Sequence, residues 1–315
     1  MTNANEPKVW MNGKLINYSE AKTHVRAHTL HYGTGAFEGE RAYKTEGGTS
    51  VFRLRDHTKR LLSSAGSISL KVPFQQEELE RAVLDTLRAN NLEEGYIRPI
   101  VYLGDVSYHL DLVKNQQAHA KESQSDVNVV IIATPFKYFE VPMKIQVSKW
   151  RRIPPECIPV ESKLTGPYIS SSLAATEAGN IYEVQEALQL DIKGNVAEGP
   201  GENFFMVVDG KLVTPPQGYI LPGITRDTVI KIAKFRGIEV EERHFGLEEL
   251  LDTAGEAFFT GTAIEVYPIS EINKKPMKDK GELTARLMAD YADVVRGRLT
   301  LPEAKDWLSL GLVNV

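Results

Sequence analysis

The chain has 315 residues, 42% of them hydrophobic and 25% charged, and a formal net charge of −5. That balance suits one large or two medium globular domains, and without a basic block it speaks against nucleic acid and anionic membranes as partners. The single cysteine, Cys157, excludes an internal disulfide framework and a Cys-rich metal site. In chain order, Asn12-Gly13 predicts a hairpin between Val9–Met11 and Lys14–Ile16, and Gly47-Gly48 a second between Arg41–Tyr43 and Ser50–Phe52. A helix is expected from Asp56, as its N-cap, with Leu61, Leu62, Ala65 and Ile68 on one face; a second spans Glu77–Ala89 through Leu79, Ala82, Val83 and Leu87. Strands follow at Tyr96–Leu103 and Val127–Ala133, separated by a polar stretch, Lys114–Asp126, that reads as a surface loop.

Pro135–Pro142 reads as a connector. Beyond it come a strand at Lys144–Lys149, a proline-rich loop and a helix near Ser170–Glu177. Strands at Glu186–Asp191 and Asn203–Val208 lead to an Asp209-Gly210 turn. A helix after Pro222-Gly223 buries Val229, Ile230 and Ala233 and stops before Gly237. Phe258-Phe259 runs as a strand into Thr260–Ala263, and Glu282–Arg298 closes the chain as a helix. The irregular mixture of strands and helices implies two α+β domains, 1–136 and 144–315, joined by residues 137–143. The opening MTNANEPKVW lacks a signal-type apolar core, and Val129–Ala133 is far too short to cross a bilayer, so the cytoplasm is the expected compartment.

Nucleotide P-loop, zincin, nucleophile-elbow and C-x-x-C motifs are all absent. His24, His28 and His31 have no neighbouring acid or cysteine to complete a metal set, so they are expected to be ordinary turn and strand histidines. Three other features point to chemistry when taken together. Lys163 stands in VESKLTGPY; two acids, Glu198 and Glu202, flank the Gly-Pro-Gly kink of EGPGENFF; and LPGITRDT is a turn entering a helix, with Thr225 in its first turn. A lysine, an acid in a rigid turn and a helix start able to seat a phosphate are what pyridoxal 5'-phosphate (PLP) requires.

The chain resembles the fold-type IV PLP aminotransferases, and specifically the branched-chain amino-acid aminotransferases. The motifs that carry the likeness are HYGTGAFEGERAY (31–43), YIRPIVYLGD (96–105), EGPGENFF (198–205), LPGITRD (221–227) and TGTAIEV (260–266), in the family's order and spread over nearly the whole chain. The resemblance implies a small N-terminal α+β domain and a larger cofactor domain with a pseudo-barrel. It implies transamination of leucine, isoleucine and valine with 2-oxoglutarate. Lys163 would form the Schiff base and shuttle the proton, Tyr168 would meet the phenolic oxygen, and Glu198 the pyridine nitrogen, with Glu202 bracing it. Arg60, Ile224, Thr225 and Thr262 would bind the phosphate, and Leu221 would pack on the ring. Tyr32, Phe37, Gly39, Arg41, Tyr96 and Arg98 would line the substrate pocket, with the Thr262 and Ala263 amides near the α-carboxylate. The family's site lies between domains and beside a partner subunit, which implies at least a homodimer with Leu110 reaching the neighbour's pocket.

The chain departs from the family at Leu164–Pro167, Tyr108, His109 and Glu40, which bears on donor preference more than on reaction type. Within the fold the rivals are D-amino-acid aminotransferase, R-selective amine transaminase and aminodeoxychorismate lyase. The D-amino-acid enzymes carry R-x-H where this chain has Arg98-Pro99-Ile100, and the lyases carry serines at Gly199 and Gly201. A non-catalytic metabolite binder would have no need of Lys163.

Overall fold

The computed structural model describes residues 6–119, 126–136, 142–277, 281–304, 306–308 and 312–313. Two compact units result: Met1–Lys137 with Ser162–Gly166 and Ala304–Val315, and Tyr138–Glu161 with Pro167–Glu303. Compactness thus groups the five residues around Lys163 with the first unit, whereas the division expected from the sequence follows chain order. Most of the expected connector, 137–141, lies outside the described residues.

The first unit is an eight-stranded sheet with α2 (Leu54–Ser67) and α3 (Gln76–Ala89) packed on one face. Its elements are β1 (Lys8–Met11), β2 (Lys14–Asn17), α1 (His28–Tyr32), β3 (Gly35–Phe37), β4 (Glu40–Thr45), β5 (Gly48–Val51), α2 (Leu54–Ser67), α3 (Gln76–Ala89), β6 (Gly95–Leu103), α4 (Leu112–His119) and β7 (Val127–Thr134). A short strand at Leu312–Val313 leads the order, followed by β5, β4, β6, β7, β1 and β2, with β3 also on β6. Asn12 and Gly13 both take positive φ, 50° and 91°, as a tight hairpin turn demands. Thr45 pairs with Gly48, so the second turn is Glu46-Gly47, one residue earlier than expected.

Period-two alternation sorts β6. Ile97 and Val101 are buried with Leu61, Ala65, Leu79, Val83 and Leu87 of α2 and α3, while Tyr96 and Arg98 share the opposite face. Helix α2 begins at Leu54 with Arg53 as its N-cap at φ 52°, three residues before the expected cap, Asp56. Asp56 lies inside the first turn and pairs with Arg53 Nε at 2.6 Å. Helix α3 opens with a capping box in which Glu78 accepts the Gln75 N–H at 2.7 Å. The loop expected from Lys114 begins instead as helix α4. Asp111 starts it by accepting the Val113 and Lys114 N–H groups at 3.1 and 3.0 Å. Residues 120–125 of that expected loop lie outside the described residues.

The second unit contains β8 (Met143–Val147), α5 (Tyr168–Ile181), β9 (Glu186–Leu190), β10 (Val196–Glu198), β11 (Asn203–Val208), β12 (Lys211–Thr214), α6 (Ile224–Phe235), β13 (Val240–Glu242), α7 (Leu247–Thr253), β14 (Glu256–Gly261), β15 (Glu265–Ile272), β16 (Lys275–Pro276) and α8 (Glu282–Val294). Strands β10, β9, β8, β15, β14 and β11 pair in turn, and a β10–β11 pair at Glu198↔Asn203 closes them into a six-strand barrel. Phe204, Met206, Leu188, Ile145 and Phe259 fill it. Phe205 and Phe258 point the other way and stack at 5.1 Å with their planes 10° apart. The doubled phenylalanines of both strands thus serve two layers, one ring inside the barrel and one outside.

Candidate active site

The second unit builds an acid and a helix start into one bonded cluster. Glu198 ends β10, only 4% exposed. Its carboxylate accepts Arg152 Nε at 2.5 Å, Asn203 Nδ2 at 2.9 Å and the Leu221 N–H at 3.2 Å. Asn203 also donates to the Leu221 carbonyl at 2.9 Å. The barrel-closing strand pair therefore ties the acid to the LPGIT turn. Glu202 braces the Gly-Pro-Gly kink: its carbonyl accepts the Gly199 N–H at 2.8 Å and its carboxylate the Gly201 N–H at 3.0 Å.

Helix α6 starts two residues beyond Pro222. Its N-cap is Gly223, which brings no side chain to the first-turn N–H groups of Ile224 and Thr225. A Cβ at Gly223 would overlap the Asn203 side-chain oxygen, so glycine is required here for packing. Tyr168 is the first residue of α5, and Thr262 and Ala263 form the turn between β14 and β15. A buried carboxylate acceptor and a helix start with glycine as its N-cap, tied to each other, fit the pyridine nitrogen and the phosphate of PLP.

The first unit holds the lysine. The Lys163 N–H donates to Ser64 Oγ at 2.9 Å, and its carbonyl accepts the Phe37 N–H at 3.0 Å. Leu164 bridges to Ala36, and Thr165 Oγ1 donates to the Gly33 carbonyl at 2.7 Å. The chain's departures at 164 and 165 thus serve as docking contacts. The Lys163 ammonium sits 4.9 Å from the centre of the Phe37 ring.

Five predicted pocket residues come together on the sheet face opposite α2 and α3. Arg41 pairs across strands with Tyr96. Arg98 Nη2 donates to the Tyr96 hydroxyl at 2.7 Å and covers the Phe37 ring at 4.7 Å. Gly39 leaves room for the Tyr96 hydroxyl, where a Cβ would collide. Arg41 is 2% exposed and covers the Phe136 ring at 4.1 Å. Tyr32 packs instead against His28, the ring centres 4.6 Å apart and the planes tilted by 48°, and Leu110 is 72% exposed.

Arg60 is paired in a fork with Glu38, a residue the sequence reading passed over. Nε meets Oε1 at 2.5 Å and Nη2 meets Oε2 at 2.9 Å. His57 Nδ1 lies 2.8 Å from the same Oε2. Burial pushes the Glu38 carboxyl upward, but the adjacent Arg60 charge and the His57 hydrogen bond outweigh it and hold the group well below the usual carboxylate range. Burial lowers His57, which favours the neutral ring, and its Nδ1–H donates to the carboxylate. Arg152 and Asn203 were also missed as site residues. Asn203 had a local signal, five positions after Glu198 across a kink; Arg152, in a proline-rich loop, had none.

The three histidines have protein partners. His28 lies between Thr34 Oγ1 and the His109 carbonyl at 2.9 and 3.0 Å; His31 meets the Val25 carbonyl at 3.1 Å, and His24 meets Asp105 at 3.2 Å.

Residues 35–272 match the model of the family described as amino-transferase class IV. The chain belongs to that family. It is 38% identical over 298 residues to the branched-chain-amino-acid aminotransferase of Pseudomonas aeruginosa, covering 92% of this chain and 93% of that one. Among solved structures, the branched-chain aminotransferase of Thermoproteus uzoniensis with norvaline is 41% identical, with a TM-score of 0.88 over 96% of this chain and 98% of that one. The T.th. branched-chain enzyme complexed with N-(5'-phosphopyridoxyl)-L-glutamate has the same TM-score and coverage at 38% identity. As a class IV aminotransferase, the chain shares its fold type with these neighbours, including the closed barrel. Among the described residues, no helix is long and apolar enough to cross a membrane.

Proposed function

We propose that this chain is a PLP-dependent branched-chain amino-acid transaminase of the cytoplasm, working as a homodimer or larger homo-oligomer. It would convert leucine, isoleucine and valine to their 2-oxo acids while 2-oxoglutarate becomes L-glutamate. The observation that carries the PLP reading is the three-donor grip on Glu198 beside the start of α6. The substrate reading is supported by likeness to relatives named for that activity, one of them solved with norvaline and another with a phosphopyridoxyl-glutamate adduct.

When bound, PLP supplies a carbonyl for amine exchange and a conjugated ring that takes up electrons. Lys163 would hold it covalently and carry the proton to and from the donor's α-carbon. Glu198 would keep a proton on the pyridine nitrogen, and Arg152, Asn203 and the Leu221 amide hold that carboxylate in place. Tyr168 would donate to the phenolic oxygen and Leu221 would pack on the ring. Arg60, Ile224, Thr225 and Thr262 would take the phosphate. Tyr32, Phe37, Gly39, Arg41 and Tyr96 would shape the side-chain pocket. Arg98 would meet the distal carboxylate of glutamate, and the Thr262 and Ala263 amides the α-carboxylate.

The test is a donor panel with 2-oxoglutarate, run on the parent and on Lys163→Ala. The parent should use leucine, isoleucine and valine well and D-alanine or R-amines poorly. The variant should fold and lose ~10³-fold or more in turnover. Preference for D-alanine would replace the substrate reading, and near-parental turnover by the variant would remove Lys163 from its role.

A further inference from the structure

We propose that Glu38 is a positioning residue that fixes the Arg60 guanidinium for the cofactor's phosphate. This rests on the reading of Arg60 as a phosphate ligand.

Helix α2 presents His57, Arg60 and Ser64 along one stripe, at i, i+3 and i+7. The first two converge on Glu38, and the third receives the backbone N–H of Lys163 at 2.9 Å. Glu38 is itself anchored. Its N–H donates to the Pro99 carbonyl at 2.8 Å, and its Oε2 also accepts the Gly39 N–H at 3.2 Å. One helix face therefore ties the arginine, through the acid, to the strand that carries Phe37 and to the lysine segment.

Stability alone is a weak reason to bury such a group, because an apolar set of similar volume commonly does as well or better. A bidentate fork does something an apolar set cannot: it fixes the guanidinium plane. Exposure agrees with that role. Glu38 and His57 are 0% and 2% accessible, whereas the Arg60 side chain reaches 14%. Of the three, the arginine is the one that emerges.

The full-length chain, stripped of cofactor, is titrated with PLP and with pyridoxal, which lacks the phosphate. Arg60→Met should weaken PLP at least tenfold and leave pyridoxal within about twofold. Glu38→Gln removes one arm of the fork, and Glu38→Asp keeps the charge but withdraws the carboxylate by one methylene. Both should weaken PLP by about tenfold while sparing pyridoxal. Parental or tighter PLP binding by these two variants, with Arg60→Met still impaired, overturns the proposal alone. Equal losses for both ligands assign Glu38 to the fold and overturn it too. Should Glu38→Gln fail to fold, Glu38→Asp decides. Parental PLP binding by Arg60→Met removes the phosphate reading of Arg60, and the proposal with it.

Discussion

Glu40 is a second buried acid two residues along the same segment, with a different fate. It is 0% exposed, and neither carboxylate oxygen has a hydrogen-bond partner among the described residues. Burial, then the Glu38 and Glu80 charges, push its carboxyl well above the ordinary value of 4.5, with Arg60 opposing. The sign follows. Below the ordinary carboxylate range the acid is protonated both folded and unfolded. As pH rises above that range, only the unfolded chain ionises freely, so the folded state loses relative stability. Glu40→Leu should therefore stabilise the protein by ~1–3 kcal/mol at pH 8, and by less at pH 5. Urea unfolding at the two pH values measures it, and a gain that shrinks towards pH 8 would refute the neutral-acid assignment.

At the scale of elements, the start of α6 depends on close packing. A methyl at Gly223 would strike the Asn203 side chain, which bonds both Glu198 and the Leu221 carbonyl. Gly223→Ala should cost about 1–3 kcal/mol and weaken PLP binding. Gly179 near the end of α5 provides the control, since nothing lies within 4 Å of an added Cβ. Alanine there should be neutral or stabilise by up to ~1 kcal/mol. Similar urea midpoints for the two variants would contradict the packing account. Helix α4 is likewise held by its contacts rather than by its pattern. Its polar sequence has little helical period, but Asp111 caps it and Asn115 ties it down through Ser107 and the His109 carbonyl, at 2.7 and 2.5 Å.

At the scale of the whole molecule, the same His109 carbonyl is clamped from both sides by His28 and Asn115. The anchored loop leaves Tyr108 and Leu110 outward, 50% and 72% exposed. A fixed loop that shows apolar side chains to water suits an interface, and this supports the proposed homodimer with Leu110 at the neighbour's substrate pocket. Sedimentation should give a dimer or larger species. Leu110→Asp should raise the apparent constant for leucine several-fold before PLP binding changes. A fully active monomer, or a variant with parental leucine kinetics, would sink this idea.

Local pattern made much of the chain legible. Asn12-Gly13 marked its hairpin, the spacing of Leu79, Val83 and Leu87 marked α3, and the largely apolar run Tyr96–Leu103 marked β6. Composition and motif chemistry pointed to a lysine, an acid and a phosphate seat, and the motif order pointed to the family. The partners were not legible in the same way. Arg152 reaches Glu198 across 46 positions, Glu38 meets Arg60 across 22, and Lys163 docks on Ser64 across 99. Such pairs arise when strand closure and burial bring distant segments together, and a desolvated charge then requires whichever counter-charge or donor lies beside it. Sequence period reports which face a side chain takes; only the tertiary structure decides what that face meets.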